Sequence, residues 1–227
     1  MRTTGNPARL APLVLAGGLL AGLAAARLVQ REWGATDDEV AAELPGDRIL
    51  GQADLTATRA VSIQAPAEDV WPWLAQLGQG RGGFYSYDGL QSLLGLDIRN
   101  ADDIVPEWQD IAVGDRVRLA PGMELTAAVV RPEEALVLRG LPVDAREAAA
   151  DADTPARLMP FAFTWAFVLR PGPRGSTRLV VRERYTYLES WAAPMVETVQ
   201  VASFIMTERM LRGIKQRAEY RPPAEAV

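Results

Sequence analysis

Toward its C-terminal end the chain carries one uninterrupted periodic segment, residues 194–218, and this segment limits the possible folds more than any other. Met195, Val199, Ala202, Met206, Met210 and Gly213 recur there at helical spacing, flanked by Val196 and Ile214. The pattern predicts a single helix of about seven turns. Val201, Phe204 and Ile205 add apolar residues half a turn away. A helix apolar on two faces needs more cover than an ordinary surface helix, so the rest of the chain has to wrap around it.

The wrapping material reads as strands. Residues 58–65 alternate polar and apolar, and 116–119, 125–130, 135–139, 164–169 and 177–186 read as further strands between turn signals. Arg131-Pro132-Glu133-Glu134 and the 170–176 run, with two prolines and two glycines, read as hairpin connections, which makes the joined strands antiparallel. Alternation along the last strand puts Arg182 and Arg184 on one face, expected to be solvated, and Glu183 with Tyr185 on the other. Residues 144–153, alanine-rich and acidic, read as an exposed loop or a frayed helix. The chain has no internal repeat. The class is α+β: an antiparallel sheet around a long C-terminal helix.

Between the first strand and the hairpins lies a short amphipathic helix, 66–77, with Glu68 and Asp69 in its first turn, where they complement the helix dipole. Gly78 stops it. The run Gly78-Gln79-Gly80-Arg81-Gly82-Gly83-Phe84-Tyr85-Ser86-Tyr87-Asp88 follows, and residues 89–95, with Leu90, Leu93 and Leu94, read as a small helix. Glycines on both sides expose Arg81, whose guanidinium can hold a carboxylate or phosphate in a bidentate fashion or pair with Asp88 or Glu107. No Gly-Lys-Ser/Thr follows, so the run is not a P-loop.

The N-terminus has a different character. Residues 10–26 carry no charge, and Arg2 and Arg9 precede them. Extended to residue 29 with Arg27 snorkelling, the run is long enough for one membrane pass. Alternative readings are a cleaved signal peptide, with Ala24-Ala25-Ala26 as the processing site, and a helix buried in the soluble domain. The arginines are balanced across the span, so orientation is not specified. Thr36 and Glu39 form a capping box for a short helix, and Pro45-Gly46-Asp47 turns the chain. The expected organisation is a tail (1–9), an anchor (10–29) giving a single-pass cell-membrane location, a connecting segment (30–56), one domain (57–218) and a C-terminal tail (219–227).

Several of these features together resemble a known family. The strand ending in Ala65-Pro66, the helix with Glu68, Val70 and Trp71, the hairpins and the final helix are similar to the START-like superfamily, SRPBCC, which includes polyketide cyclases and Bet v 1-like lipid carriers. Trp33-Gly34-Ala35-Thr36, Leu44-Pro45-Gly46-Asp47 and the Gly80-to-Asp88 run resemble its bacterial membrane-anchored members. The resemblance implies a helix-grip fold with a cavity between sheet and final helix. Such a cavity would hold a hydrophobic small molecule or lipid, with Arg81, Phe84, Tyr85, Tyr87, Asp88, Trp108, Met206 and Met210 as candidate ligand-binding residues.

Composition narrows the chemistry. The chain has neither histidine nor cysteine, so disulfides, thiol nucleophiles, Ser-His-Asp triads and the common zinc sites are excluded, and Lys215 is its single lysine. A net charge of −5 argues against a nucleic-acid partner. No metal or cofactor is expected. The leading expectation is ligand binding without catalysis. A cyclase- or dehydratase-like enzyme would use Tyr85, Tyr87, Asp88 or Glu107 to move a proton and Arg81 or Arg118 to hold an enolate. A third alternative is a docking module that presents Val201, Phe204 and Ile205 to a partner or the bilayer.

Overall fold

The six segments read as strands are strands in the computed structural model, which describes residues 26–86, 99–120, 123–140 and 160–220. They are β1 (Leu55–Ile63), β2 (Arg116–Ala120), β3 (Met123–Arg131), β4 (Ala135–Gly140), β5 (Phe161–Pro171) and β6 (Thr177–Tyr187). They form one antiparallel sheet in the order β1-β6-β5-β4-β3-β2. Register shifts at Arg118/Ala120 and Ala127/Val129 bend the β2–β4 end of the sheet, as bulges do. Among the described residues, helices α1 (Asp37–Ala41), α2 (Ala67–Ala75) and the long α3 (Ala192–Ala218) accompany it, besides a helical stretch at 26–32. This is the α+β helix-grip arrangement expected, with α3 in the concavity of the sheet.

The expected anchor, residues 10–29, lies outside the described residues except for its last four. Residues 26–32 are helical. Among the described residues no helix is long and apolar enough to cross a membrane. Tyr87, Asp88, the small helix at 89–95 and the loop at 144–153 also lie outside the described residues.

Two expectations need correction. The sheet-facing line of α3 is not the methionine stripe. It runs through Val196, Gln200, Thr207, Met210, Leu211 and Ile214, all buried, with Ser203 half-buried. Met195 and Ala202 are exposed and Met206 is half-buried, so the buried face is rotated by about a quarter turn. The reason is chemical: a buried carboxylate on β6 needs donors from α3, and three polar residues supply them.

Arg182 and Arg184 do not face solvent either. Residues 33–50 form a strap across the convex face of the sheet and cover both. Thr36 caps α1 through the predicted box, its Oγ1 accepting from Glu39 N–H while its own N–H donates to the Glu39 carboxylate. Arg182 donates to the carbonyls of Glu39 (2.7 Å), Val40 (2.9 Å) and Ala42 (2.8 Å), and to Asp47 (2.6 Å) and Thr58 (2.9 Å). Arg178 grips both oxygens of Glu39, and Arg184 donates to the Asp47 carbonyl. Leu44 packs on Ala60, Val168 and Val180 as a small second core. Free carbonyls at the end of a short helix need partners, and guanidinium groups provide them.

Candidate functional site

Alternation along β5 directs Phe161, Phe163, Trp165, Phe167 and Leu169 to the concave face of the sheet, where all pack in or against the main core. The rings form a continuous row. Phe161 and Phe163 lie 5.5 and 4.7 Å from Tyr185, and Trp165 lies 4.8 Å from Phe167 and 6.1 Å from Phe84. Trp165 is the one member of this row that is not buried, yet its indole N–H is enclosed and has no acceptor among the described residues. An enclosed N–H without an acceptor is costly unless something occupies the space beside it.

Directly across from Trp165 stands Glu183 on β6. Its carboxylate is 2% exposed and is surrounded by donors. Arg59 of β1 donates at 2.8 Å, Tyr185 at 3.1 Å, Gln200 at 3.2 Å, Ser203 at 2.9 Å and Thr207 at 3.0 Å. A carboxylate has about four lone-pair sites, and these are filled. Burial, then the Glu183 charge, pushes the Tyr185 hydroxyl well above its ordinary pKa, so it stays a donor. Glu183 therefore cannot take a proton from a substrate without dismantling its own shell.

The glycine-rich loop sits against α2 and α3. Gly83 has a φ of +73°, and a Cβ there would press on the Arg99 carbonyl and on Asn100. Asn100 accepts from the N–H groups of Phe84 and Tyr85 and donates to the Ser86 carbonyl. On the helix side, Gly213 leaves room for the Tyr85 carbonyl, which a larger residue would meet head-on. Gln76, fully buried, ties α2 to the segment after the loop through Asp103, Val105 and Gln109. Neither Gln76 nor Asn100 was singled out from sequence. For Gln76 the available signal was one amide at the apolar end of a helix.

The candidate residues from sequence occupy several environments. Arg81 is half-buried and donates to the carbonyls of Ala75 (3.1 Å) and Trp108 (2.5 Å), and among the described residues it makes no ion pair. Burial lowers its pKa, opposed by the Asp115 charge. Trp108 thus contributes its backbone. Phe84 joins the aromatic row. Tyr85 is buried, donates to the Trp73 carbonyl and packs edge-on against Trp73 at 5.6 Å, with the Arg217 guanidinium 4.9 Å from its ring centre. Burial pushes its pKa well above the usual value. Met210 is core, and Met206 accepts a hydrogen bond from Ser86 through its carbonyl. Arg118 is exposed and paired with Glu124, and Glu107 is exposed. The acid–base groups that are described do not converge.

Two open clefts of about 570 and 530 Å³ lie elsewhere, at the β5–β6 hairpin end and on the convex face beside Arg182 and Arg184. Neither is lined by any of the eight candidate ligand-binding residues.

No family model matches the chain, and no curated protein is similar to it. Among solved structures it is similar to protein MLL2253 from Mesorhizobium loti, at 18% identity over 72% of this chain and 96% of that one, with a TM-score of 0.39. It is similar to DynU16, from the dynemicin biosynthetic locus, at 15% identity over 74% of this chain and 50% of that one, TM-score 0.41. Truncated norcoclaurine synthase from Thalictrum flavum matches at 13% identity over 71% and 91%, TM-score 0.41. At this level no property of those proteins carries over to this chain.

Proposed function

We propose that the chain is a membrane-anchored START-like domain that holds a hydrophobic small molecule or lipid between the aromatic row of β5 and α3, without changing it. The observation that carries this reading is Trp165. It presents a partly open ring and an acceptor-free N–H in the middle of an aromatic surface, a combination suited to an apolar molecule bearing one oxygen acceptor. Binding is favoured over catalysis because Glu183 is saturated and Tyr85 is locked onto a backbone carbonyl. The anchor rests on the uncharged run at 10–26.

The test is native mass spectrometry of the full chain, carried from its host membrane in lipid nanodiscs and released in the spectrometer. A stoichiometric apolar mass that survives release and is depleted in Trp165→Phe supports the reading. A chain that retains nothing and takes up no environment-sensitive apolar dye overturns it.

A further inference from the structure

We infer that the end of α3 bearing Leu188, Trp191 and Met195 rests in the interfacial layer of a lipid bilayer, with α3 standing end-on to the membrane. This rests on the reading of residues 10–29 as an anchor and adds what that reading lacks, an orientation of the domain.

The argument begins with where the chain enters the domain. Arg27 and Arg31 both reach Glu197, each at 3.0 Å. The Gln30 carbonyl accepts from Arg59 Nε at 2.9 Å, and Arg59 also meets Gln200 and the Phe204 ring. The Trp33 carbonyl accepts from Ala60 N–H at 3.1 Å, and the Arg212 guanidinium lies 5.6 Å from the Trp33 ring centre. Residues 27 and 33 meet α3 directly and residue 30 meets it through Arg59, at successively later positions, so the two segments run in the same sense. Glu197 lies about 9 Å along the axis from Trp191, so residue 26 stands beside the first turns of α3. These contacts pin the entering segment and leave no free tether.

Exposure at that end is the second observation. Leu28 is 58% exposed, Val29 60%, Leu188 48% and Trp191 56%. With Met195 they account for five of the large apolar side chains left open on the described surface, all close to where the chain enters. Scattered apolar exposure is ordinary, but a cluster of this kind marks an interaction surface. The occupant is indicated by the uncharged run that the chain carries immediately upstream. An indole beside two arginines suits the headgroup layer, where aromatic rings and basic residues gather. Glu189 and Asp54 are exposed acids at this end, Asp54 accepting from the Tyr187 N–H, and Glu197 is already paired. Val201 and Ile205 are also exposed, but two to four turns further along α3, which in the end-on orientation places them in water.

The absence of cysteine allows a direct test on the full chain. Leu20→Cys, Leu188→Cys, Met195→Cys, Ile205→Cys and Arg174→Cys, made one at a time, are spin-labelled and reconstituted in phosphatidylcholine–phosphatidylglycerol vesicles. Accessibility to oxygen is then compared with accessibility to a water-soluble nickel chelate. The expected oxygen-to-nickel ratio is highest at Leu20→Cys, several-fold above aqueous at Leu188→Cys and Met195→Cys, and aqueous at Ile205→Cys and Arg174→Cys. Aqueous labels at 188 and 195 with a lipid label at 20 overturn the orientation and leave the anchor. An aqueous label at 20 overturns the anchor itself. Immersion of 205 together with 195 overturns the end-on geometry, and labels at 188 and 195 shielded from both reagents point to a protein partner or second copy and overturn the proposal. Should a labelled variant fail to fold, quenching by brominated lipid gives a second reading: unmodified chain is quenched more than Trp191→Phe, and equal quenching overturns the proposal.

Discussion

Strand β6 carries charged residues on both faces, and the two faces use them in opposite ways. On the concave side a single carboxylate, Glu183, collects donors from β1, β6 and α3. On the convex side Arg178, Arg182 and Arg184 offer donors to the strap, and half of their hydrogen bonds end on backbone carbonyls. A carboxylate can attract only groups that carry a proton, so its partners must be particular side chains at particular turns of a helix. A guanidinium with five N–H groups can satisfy irregular backbone whatever side chains that backbone bears. The register of α3 is thus encoded in Gln200, Ser203 and Thr207, whereas the strap is held with little regard to its own sequence between Val40 and Ala42.

The largest effect should come from Arg59→Ala, which leaves Glu183 buried without its cation. Removing one partner of a buried pair costs about 3–5 kcal/mol. Urea unfolding of the full chain reads it, and a loss below about 1 kcal/mol would show that the neutral donors of α3 suffice alone. Next comes Arg182→Ala, expected to cost roughly 2–3 kcal/mol because its acceptors include a carboxylate and several buried carbonyls. Amide exchange should rise through residues 36–47 while β5 and β6 stay protected. If the whole sheet exchanges together, the two faces form one cooperative unit and the contrast disappears.

Acid gives the smallest and most selective effect. The Arg178 hydrogen bonds, opposed by burial and aided by Thr36, hold the Glu39 carboxyl below its usual pKa. A depressed folded pKa means that this contribution is complete above the ordinary carboxylate range and is lost as pH falls through the folded value. Strap exchange should therefore accelerate in acid before the sheet responds, and Glu39→Gln should flatten that dependence. An unchanged acid profile in Glu39→Gln would assign the strap's hold to Arg182 and Asp47 alone.

Much of the architecture was legible because its signals are local. The six strands, the Thr36–Glu39 capping box, the stop after α2 and the extent of α3 follow from periodicity and turn chemistry over a few residues. The phase of α3 did not, because hydrophobicity favours Met195, Ala202 and Met206, whereas the buried Glu183 requires Gln200, Ser203 and Thr207. That requirement arises only when β6 and α3 meet. The faces of Arg182, Glu183 and Arg184 followed from alternation, but what would cover each face did not. Of the site, Phe84 and the loop backbone were identifiable from the glycine run. Trp165 was not, since only the packed sheet shows an indole N–H that is enclosed and unmet.

The strap also bears on what can be inherited as a folding unit. A gene fragment opening at β1 would encode every strand and α3, yet it would strip the cover from Ala60, Val168 and Val180 and leave Arg182 with Thr58 alone of its acceptors. Recombination that exchanges the N-terminal segment for another would need its junction upstream of Gln30, where the chain first bonds to β1 through Arg59, and not in the stretch just before the sheet. The convex face thereby sets where this domain can be joined to something new.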